Sequence, residues 1–271
     1  LYDTKQGFIH TKMKICVLIK QVPDKNSPLT IADDHLSLLD SNITWVSNES
    51  DLYALEEALL LKEAHGAEVV VCTLGPESAL QVVKDGLCKG ADRGILISDK
   101  QFDSLDILSL SKVFASAFKE EKFDLILSGL QSDDYGNSQL GLLLAELLNM
   151  SHATLVMGTE IQNKKSIKVK RELESGWFQW TELDFPASLT IQSGINTPRY
   201  SSLRGIMMVK NKPLDKLTAN EITTEKLIPL VKLNKIYIPE KAKETTYLNG
   251  SPDEISEKLV DIFKNEIKVI N

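Results

Sequence analysis

General acid–base chemistry needs two groups aimed at one reacting atom, and this chain offers two adjacent acidic pairs, Glu56-Glu57 and Asp133-Asp134. Neighbouring residues project in different directions, so neither pair is built for that task. Glu56 and Glu57 read as the solvated face of a helix, and Asp133 and Asp134 as polar loop residues or ribose contacts. Ser201-Ser202 and the scattered His10, His35, His65 and His152 compose no recognisable triad. The histidines lack metal-ligand spacing, and Cys16, Cys72 and Cys88 lack a C-x-x-C arrangement. The cysteines sit in apolar or helical surroundings and read as small reduced core residues. No catalytic residue is assigned, and any ligand chemistry would be carried by a cofactor.

The stretch that does point to a ligand runs from Asp124 to Gly141. Leu125-Ile126-Leu127 is a short apolar run suited to a buried parallel strand. A polar turn with glycines follows, and Leu142 to Leu148 then reads as a helix. Strand, polar turn and helix together aim unpaired helix amides at an anion beyond the strand end. The segment therefore reads as the phosphate-side wall of a nucleotide site. The G-x-G-x-x-G fingerprint and the Walker glycine-lysine loop are both absent, which counts against a dinucleotide dehydrogenase and a P-loop phosphotransferase.

Such a loop needs a sheet behind it. Lys14 to Lys20 has a buried-strand pattern and ends at Gln21-Val22-Pro23-Asp24. Residues 25–47 read as irregular or short edge strands with Trp45 as a packing anchor. Asn48-Glu49-Ser50-Asp51 favours a helix start, with the helix running from about Tyr53 to His65 and closed by Gly66. A strand at Val69–Leu74, the Gly75-Pro76 turn, a helix over 77–89, a strand at Gly94–Ile97 and an amphipathic segment from Leu105 to Glu121 follow. This alternation predicts an α/β fold with a mostly parallel, doubly wound sheet. Ligands of such sheets bind beyond the strand C-termini, where the strand order reverses. The loops expected there are Gln21–Asp24, Gly75–Pro76 and Gln131–Gly141, with Asn48–Asp51 as a fourth piece.

Beyond the Leu142 helix the pattern changes. Ala153–Val156, Ser166–Leu173, Trp177–Glu182 and Ala187–Ile191 read as hairpin-like strands added antiparallel to the sheet. Ser193 to Gly205 is a polar loop carrying an exposed-looking Tyr and Leu. From Lys212 onward the chain is charged and punctuated by prolines, and it ends in an amphipathic helix, about Asp253 to Asn265, with Ile255, Leu259 and Ile262 on one face. A tail so poor in core residues is expected to lie across another surface, such as a partner subunit's. Three regions result. Residues 1–12 are taken as an N-terminal extension or expression remnant. Residues 13–213 form the α/β nucleotide-binding domain, including loop 194–205, and 214–271 form a C-terminal arm and helix. The net charge of -7 argues against nucleic-acid binding. No apolar run approaches the ~20 residues that span a bilayer, so no membrane insertion is expected, and cysteine usage fits a cytosolic or matrix-like compartment.

Several motifs stand in one order: Asn48-x-x-Asp51-x-x-Ala54-x-Glu56-Glu57-Ala58-Leu59-x-Leu61-Lys62-Glu63, the Gly90-Ala91-Asp92-Arg93 turn, Gln131 to Gly141, and Asn196-x-Pro198-Arg199-Tyr200-x-x-Leu203. Together, from about Met13 to Pro213, they resemble the β subunit of electron-transfer flavoproteins. Ile236-Tyr237-Ile238-Pro239-Glu240-Lys241, Gly194-Ile195-Asn196 and Leu203-Arg204-Gly205-Ile206 look most like the methylotroph-type branch that accepts electrons from trimethylamine dehydrogenase.

The resemblance implies an adenine-nucleotide α-hydrolase-like fold and a soluble bacterial cytoplasmic heterodimer. Its α subunit would carry most of the site for one FAD, and this chain a structural AMP. By motif position the AMP site comprises Leu18, Asn48, Glu49, Ser50, Asp51, Leu74, Gly75, Ser132, Asp133, Asp134, Tyr135, Gly136, Asn137, Ser138, Gln139, Leu140 and Gly141. Amides around Asn137, Ser138 and Gln139 would hold the phosphate, Asp51 or Asn48 would serve polar edges of the adenosine, and the acidic pair would stay away from the phosphate or rest on amides. The loop from Asn196 to Arg204 resembles a recognition loop in which Leu203, beside Tyr200 and Arg204, anchors in a pocket on a flavin dehydrogenase. Glu172 matches a glutamate near the subunit interface that orients the mobile flavin domain. Electrons would pass on to a quinone reductase. The chain departs from the family at Glu49-Ser50, where Pro-Phe is common, and at Tyr135, Gly136 and Leu140 in the nucleotide loop. Two alternatives stand beside this expectation: a bifurcating relative with a second FAD in place of AMP, and a stand-alone nucleotide-binding or ATP-hydrolysing enzyme.

Overall fold

Alternate residues of Lys14–Leu18 (β1) feed two different cores. Ile15 and Val17 pack with Leu55, Ala58, Val82 and Leu87 on one face, while Cys16 and Leu18 pack with Val113, Phe114 and Leu144 on the other. A strand with side chains of period two can be apolar throughout only if helices cover both faces of its sheet. The computed structural model, which describes residues 12–163, 165–222, 227–239 and 245–270, has that construction. The expected extension at 1–12 lies outside the described residues apart from Lys12, as do Glu240 and Lys241.

After β1 come the short strand Gln21–Pro23 (β2) and its antiparallel partner Trp45–Ser47 (β3). Helix α1, Glu49–His65, leads to strand β4, Glu68–Leu74, then to helix α2, Leu80–Lys89, and strand β5, Arg93–Ile97. Helix α3, Ile107–Phe118, strand β6, Leu125–Gly129, and helix α4, Leu140–Leu147, complete the alternation. Strands Ser151–Ile161 (β7), Ser166–Glu172 (β8), Phe178–Asp184 (β9) and Ala187–Ile191 (β10) follow, then the short helix Leu203–Met208 (α5) and strand Leu214–Leu217 (β11). The sheet order is β11-β5-β4-β1-β6-β10-β7-β8-β9. The chain walks outward from β1 through β4 to β5 and resumes at β6 on β1's other side, so the order reverses between β1 and β6. That crevice is where doubly wound sheets hold ligands.

Several expectations need correction. Helix α1 begins at Glu49, four residues before Tyr53, because Ser50 and Asp51 find partners across the crevice while already helical. Ala187–Ile191 is not a hairpin addition. It lies parallel between β6 and β7, and all five residues are buried. Only β7, β8 and β9 form an antiparallel meander, and the chain returns from it to insert β10 as an interior strand. Trp45 is exposed rather than a packing anchor, its indole N–H donating to Asp40. Leu214–Leu217, assigned from sequence to the arm, pairs parallel with β5 as an edge strand.

The chain divides into two compact units, residues 1–235 and 236–271. In the second, helix α6, Pro252–Asp261, starts at a reciprocal capping box: Ser251 Oγ accepts the Glu254 amide and Glu254 accepts the Ser251 amide. The helix widens into a π-type turn at Ile262–Glu266 where one continuous helix was expected. No helix among the described residues is long and apolar enough to cross a membrane.

Candidate functional site

The reversal point is closed by the first turn of α1. Asp51 accepts the amide of Lys20, just beyond β1, at 2.8 Å and the amide of Gly129, the last residue of β6, at 2.8 Å. One carboxylate thus joins the two strand ends between which the sheet reverses. Burial pushes the Asp51 carboxyl up to about 6, against the lowering effect of the two amides. Gly129 leaves room for this contact, since a Cβ there would sit 2.1 Å from Ser50 Oγ and 2.6 Å from Asp51 Oδ1.

Asn48 and Ser50 hold the loop that follows β6. Asn48 Nδ2 and Ser50 Oγ donate to the Gln131 carbonyl at 3.0 and 2.7 Å, and Asn48 Oδ1 accepts the Asp133 amide at 2.9 Å. Both oxygens of Asp51 and the whole amide of Asn48 are therefore engaged with protein. Through these bonds Asn48 and Asp51 shape the loop that follows β6. Leu18 is buried in the core, so at this edge it offers backbone only. Glu49 is exposed and pairs with Lys25.

The loop itself is exposed and curved. Gly136 has φ 61° and Ser138 φ 55°, and the Ser138 hydroxyl donates to Gln131 Oε1 at 3.0 Å. A left-handed serine is unusual and marks a shape imposed by its surroundings. No acceptor among the described residues takes the amides of Asn137, Ser138 or Gln139, which immediately precede α4. Gly141 packs α4 against β10: a Cβ there would lie 2.6 Å from Thr190 Cγ2, and Ser188 Oγ donates to the Gly141 carbonyl at 2.9 Å. Thr190 Oγ1, buried beneath this turn, has no partner among the described residues. Open amides at a helix N-terminus suit a phosphate-sized anion.

Sequence reasoning missed the cation of this site. Lys20 Nζ donates to both oxygens of Asp134, at 2.7 and 2.6 Å, and lies 4.6 Å from the centroid of the Tyr135 ring. Asp134 also accepts the Tyr135 amide at 2.8 Å, as expected of an acidic residue resting on an amide. Lysine at the end of the first strand was the available signal. On β4's side, Gln21 and Ser78 exchange hydrogen bonds of 3.1 and 3.0 Å, which brings the loop after Leu74 and Gly75 to the same edge.

Glu56 and Glu57 are buried, not a solvated face. Glu56 accepts from the Arg199 amide, Nε and Nη2 at 3.1, 2.8 and 2.9 Å. Glu57 accepts from Asn196 Nδ2 at 3.0 Å and from the Thr159 hydroxyl. These bonds raise the Arg199 guanidinium above its ordinary value, Glu56 contributing most and Glu63 next. The far end of the loop is open: Tyr200 is 95% and Leu203 81% exposed, with Arg204 also exposed. Glu172, partly buried at the end of β8, accepts from Gln192, the first residue past β10, at 2.9 Å. Cys16 and Cys72 are fully buried, and burial pushes both thiols up, which fits inert core residues. The described residues hold no metal-binding group of His, Cys, Asp and Glu.

Comparison with known proteins agrees with this architecture. The electron transfer flavoprotein domain matches residues 36–222. The electron transfer flavoprotein subunit beta of Methylophilus methylotrophus is 33% identical over 94% of this chain and 99% of its own length. That of Bacillus subtilis is 34% identical over 95% and 100%. The caffeyl-CoA reductase-Etf complex subunit CarD of Acetobacterium woodii is 36% identical over 74% and 77%.

Proposed function

This chain belongs to the electron transfer flavoprotein family, and from that membership we propose that it is the β subunit of a heterodimer, binding AMP at the β1/β6 crevice while an α subunit carries FAD. FAD would supply the electron chemistry. This chain's residues bind, support and dock. The observation that carries the reading is the set of open amides at Asn137, Ser138 and Gln139, held in place at the sheet's reversal point by Asn48, Ser50 and Asp51. A phosphate there would meet helix-terminal N–H groups, with Lys20 neutralising Asp134 nearby. In this arrangement Glu49, Leu74, Gly75, Ser132, Tyr135, Gly136 and Leu140 line or shape the crevice.

Leu203, with Tyr200 and Arg204, would dock a flavin dehydrogenase, an amine dehydrogenase in the methylotroph-type reading, and a quinone reductase would accept the electrons. Burying one leucine is worth about 1.5–3 kcal/mol, suited to an encounter that must also end. Glu172 would face the α flavin domain, the C-terminal unit, 236–271, would lie on the α subunit, and the location would be the bacterial cytoplasm. Denaturing the purified heterodimer tests the cofactor assignment. FAD and AMP released in about one-to-one ratio support it. Two FAD and no AMP would instead support the bifurcating alternative.

A further inference from the structure

The segment between β10 and α5 has no secondary structure of its own to fix its path. What fixes it is α1. Arg199 lays its guanidinium fork against Glu56, which is only 6% exposed, and reaches Glu63 through Nη1 at 2.6 Å. Three residues earlier, Asn196 Nδ2 donates to the Tyr53 carbonyl at 3.1 Å and to Glu57. Past Arg199 the ties run to α2 and the turn after it, ending where Val209 packs on the core and Lys212 Nζ donates to the Leu87 and Ala91 carbonyls at 2.7 and 2.6 Å. Ser201 donates to Asp85 at 3.2 Å, Ser202 caps α5 by accepting the Gly205 amide, and Gly205 sits so close to α2 that a Cβ would fall 1.9 Å from the Cys88 carbonyl oxygen. Leu203 and Tyr200 therefore stand exposed between the Arg199 clamp on one side and the Lys212 tie on the other.

We propose that Arg199, clamped between Glu56 and Glu63, is the positioning residue that presents the α5 docking helix to the electron-donating dehydrogenase. It touches neither flavin nor dehydrogenase in this role. The physical case is the mismatch of costs: ordering a loop that ends in exposed apolar side chains is entropically unfavourable, so a docking leucine held ready must be held from elsewhere. A planar five-donor guanidinium serves both carboxylates in one fixed geometry, for which a lysine ammonium has no equivalent. Because Glu56 is buried, it accepts an ionic partner or becomes a cost, so the clamp does not idle between positions.

The inference rests on the docking reading of Leu203, and the test separates the two. FAD-loaded heterodimers carrying Arg199→Lys, Leu203→Ala, both together, and Glu63→Gln are compared. Arg199→Lys is expected to raise the apparent KM for the dehydrogenase about tenfold, with the saturated rate of flavin reduction within about twofold. Amide exchange should quicken over residues 196–208, and the double variant should dock no worse than Leu203→Ala alone. Glu63→Gln removes only the exposed half of the clamp, leaves folding intact, and should raise KM about two- to threefold. An unchanged KM in Arg199→Lys and Glu63→Gln, or effects of Arg199→Lys and Leu203→Ala that simply add, overturns the positioning role. If Leu203→Ala leaves KM unchanged, the docking reading itself fails, while exchange over 196–208 still reports whether the clamp orders the loop.

Discussion

The carboxylate of Asp51 accepts the Gly129 amide at 2.8 Å with one oxygen and the Lys20 amide at 2.8 Å with the other. Residues on a helix and at two strand ends are thereby joined at the one place where the sheet reverses. An Asn side chain has a single acceptor and would turn its NH2 toward one of the two donors. Asp51→Asn is expected to lose about 1–3 kcal/mol of unfolding free energy, the cost of a buried amide left unpaired. Urea unfolding of the heterodimer at pH 7 measures it, and a loss under about 0.5 kcal/mol would contradict the bridge.

The same carboxylate predicts a pH signature. Its folded value of about 6 lies above the ordinary 3.8, so between these values the folded state holds a proton that the unfolded state has released. Its contribution to stability is complete below about pH 4, falls as pH rises toward 6, and is flat above that. The full span is at most about 3 kcal/mol. Other carboxylates, among them Asp106, Glu121 and Asp92, are lowered by their partners and act in the opposite sense. The difference between wild type and Asp51→Asn isolates the term. The variant's deficit should grow as pH drops from 7 to 4.5, and a constant deficit would rule out the raised carboxyl.

Lys20 neutralises Asp134 beside the open amides. Removing the lysine charge leaves a carboxylate to repel a phosphate. Lys20→Met heterodimer should retain several-fold less AMP after extended dialysis, and Lys20→Met with Asp134→Asn should recover most of it. Equal retention in all three proteins would show that the pair has no part in nucleotide binding.

At Leu203 the prediction concerns docking alone. Replacement by Ala should weaken the encounter with the dehydrogenase about ten- to hundredfold, the equivalent of one leucine's burial, without altering FAD content. Stopped-flow reduction of the heterodimer across a range of dehydrogenase concentrations reads this directly.

Much of the fold was legible because it is local. Val69 to Cys72 and Leu125 to Leu127 are buried on both faces of the sheet, and uninterrupted apolar runs are how such strands are written. The loop from Gln131 to Gly141 was legible for a similar reason, since strand, polar turn and helix follow one another directly. β10 was harder. Ala187–Ile191 follows the antiparallel strands β8 and β9, and nothing in its own residues says that the chain turns back past β7 to reach β6.

By itself the sequence determined the alternation of strands and helices and the order of motifs that marks the family. The tertiary structure decided what the charged residues do. Glu56 reads as solvent-facing within its helix because its partner, Arg199, lies 143 residues away. A carboxylate is buried or solvated according to whether hydrogen-bond donors or a cation meet it, and only the folded chain sets that meeting. The same holds for Asn48 and Asp51, whose polar atoms bond backbone groups at strand ends and in the loop after β6, far from them in the sequence.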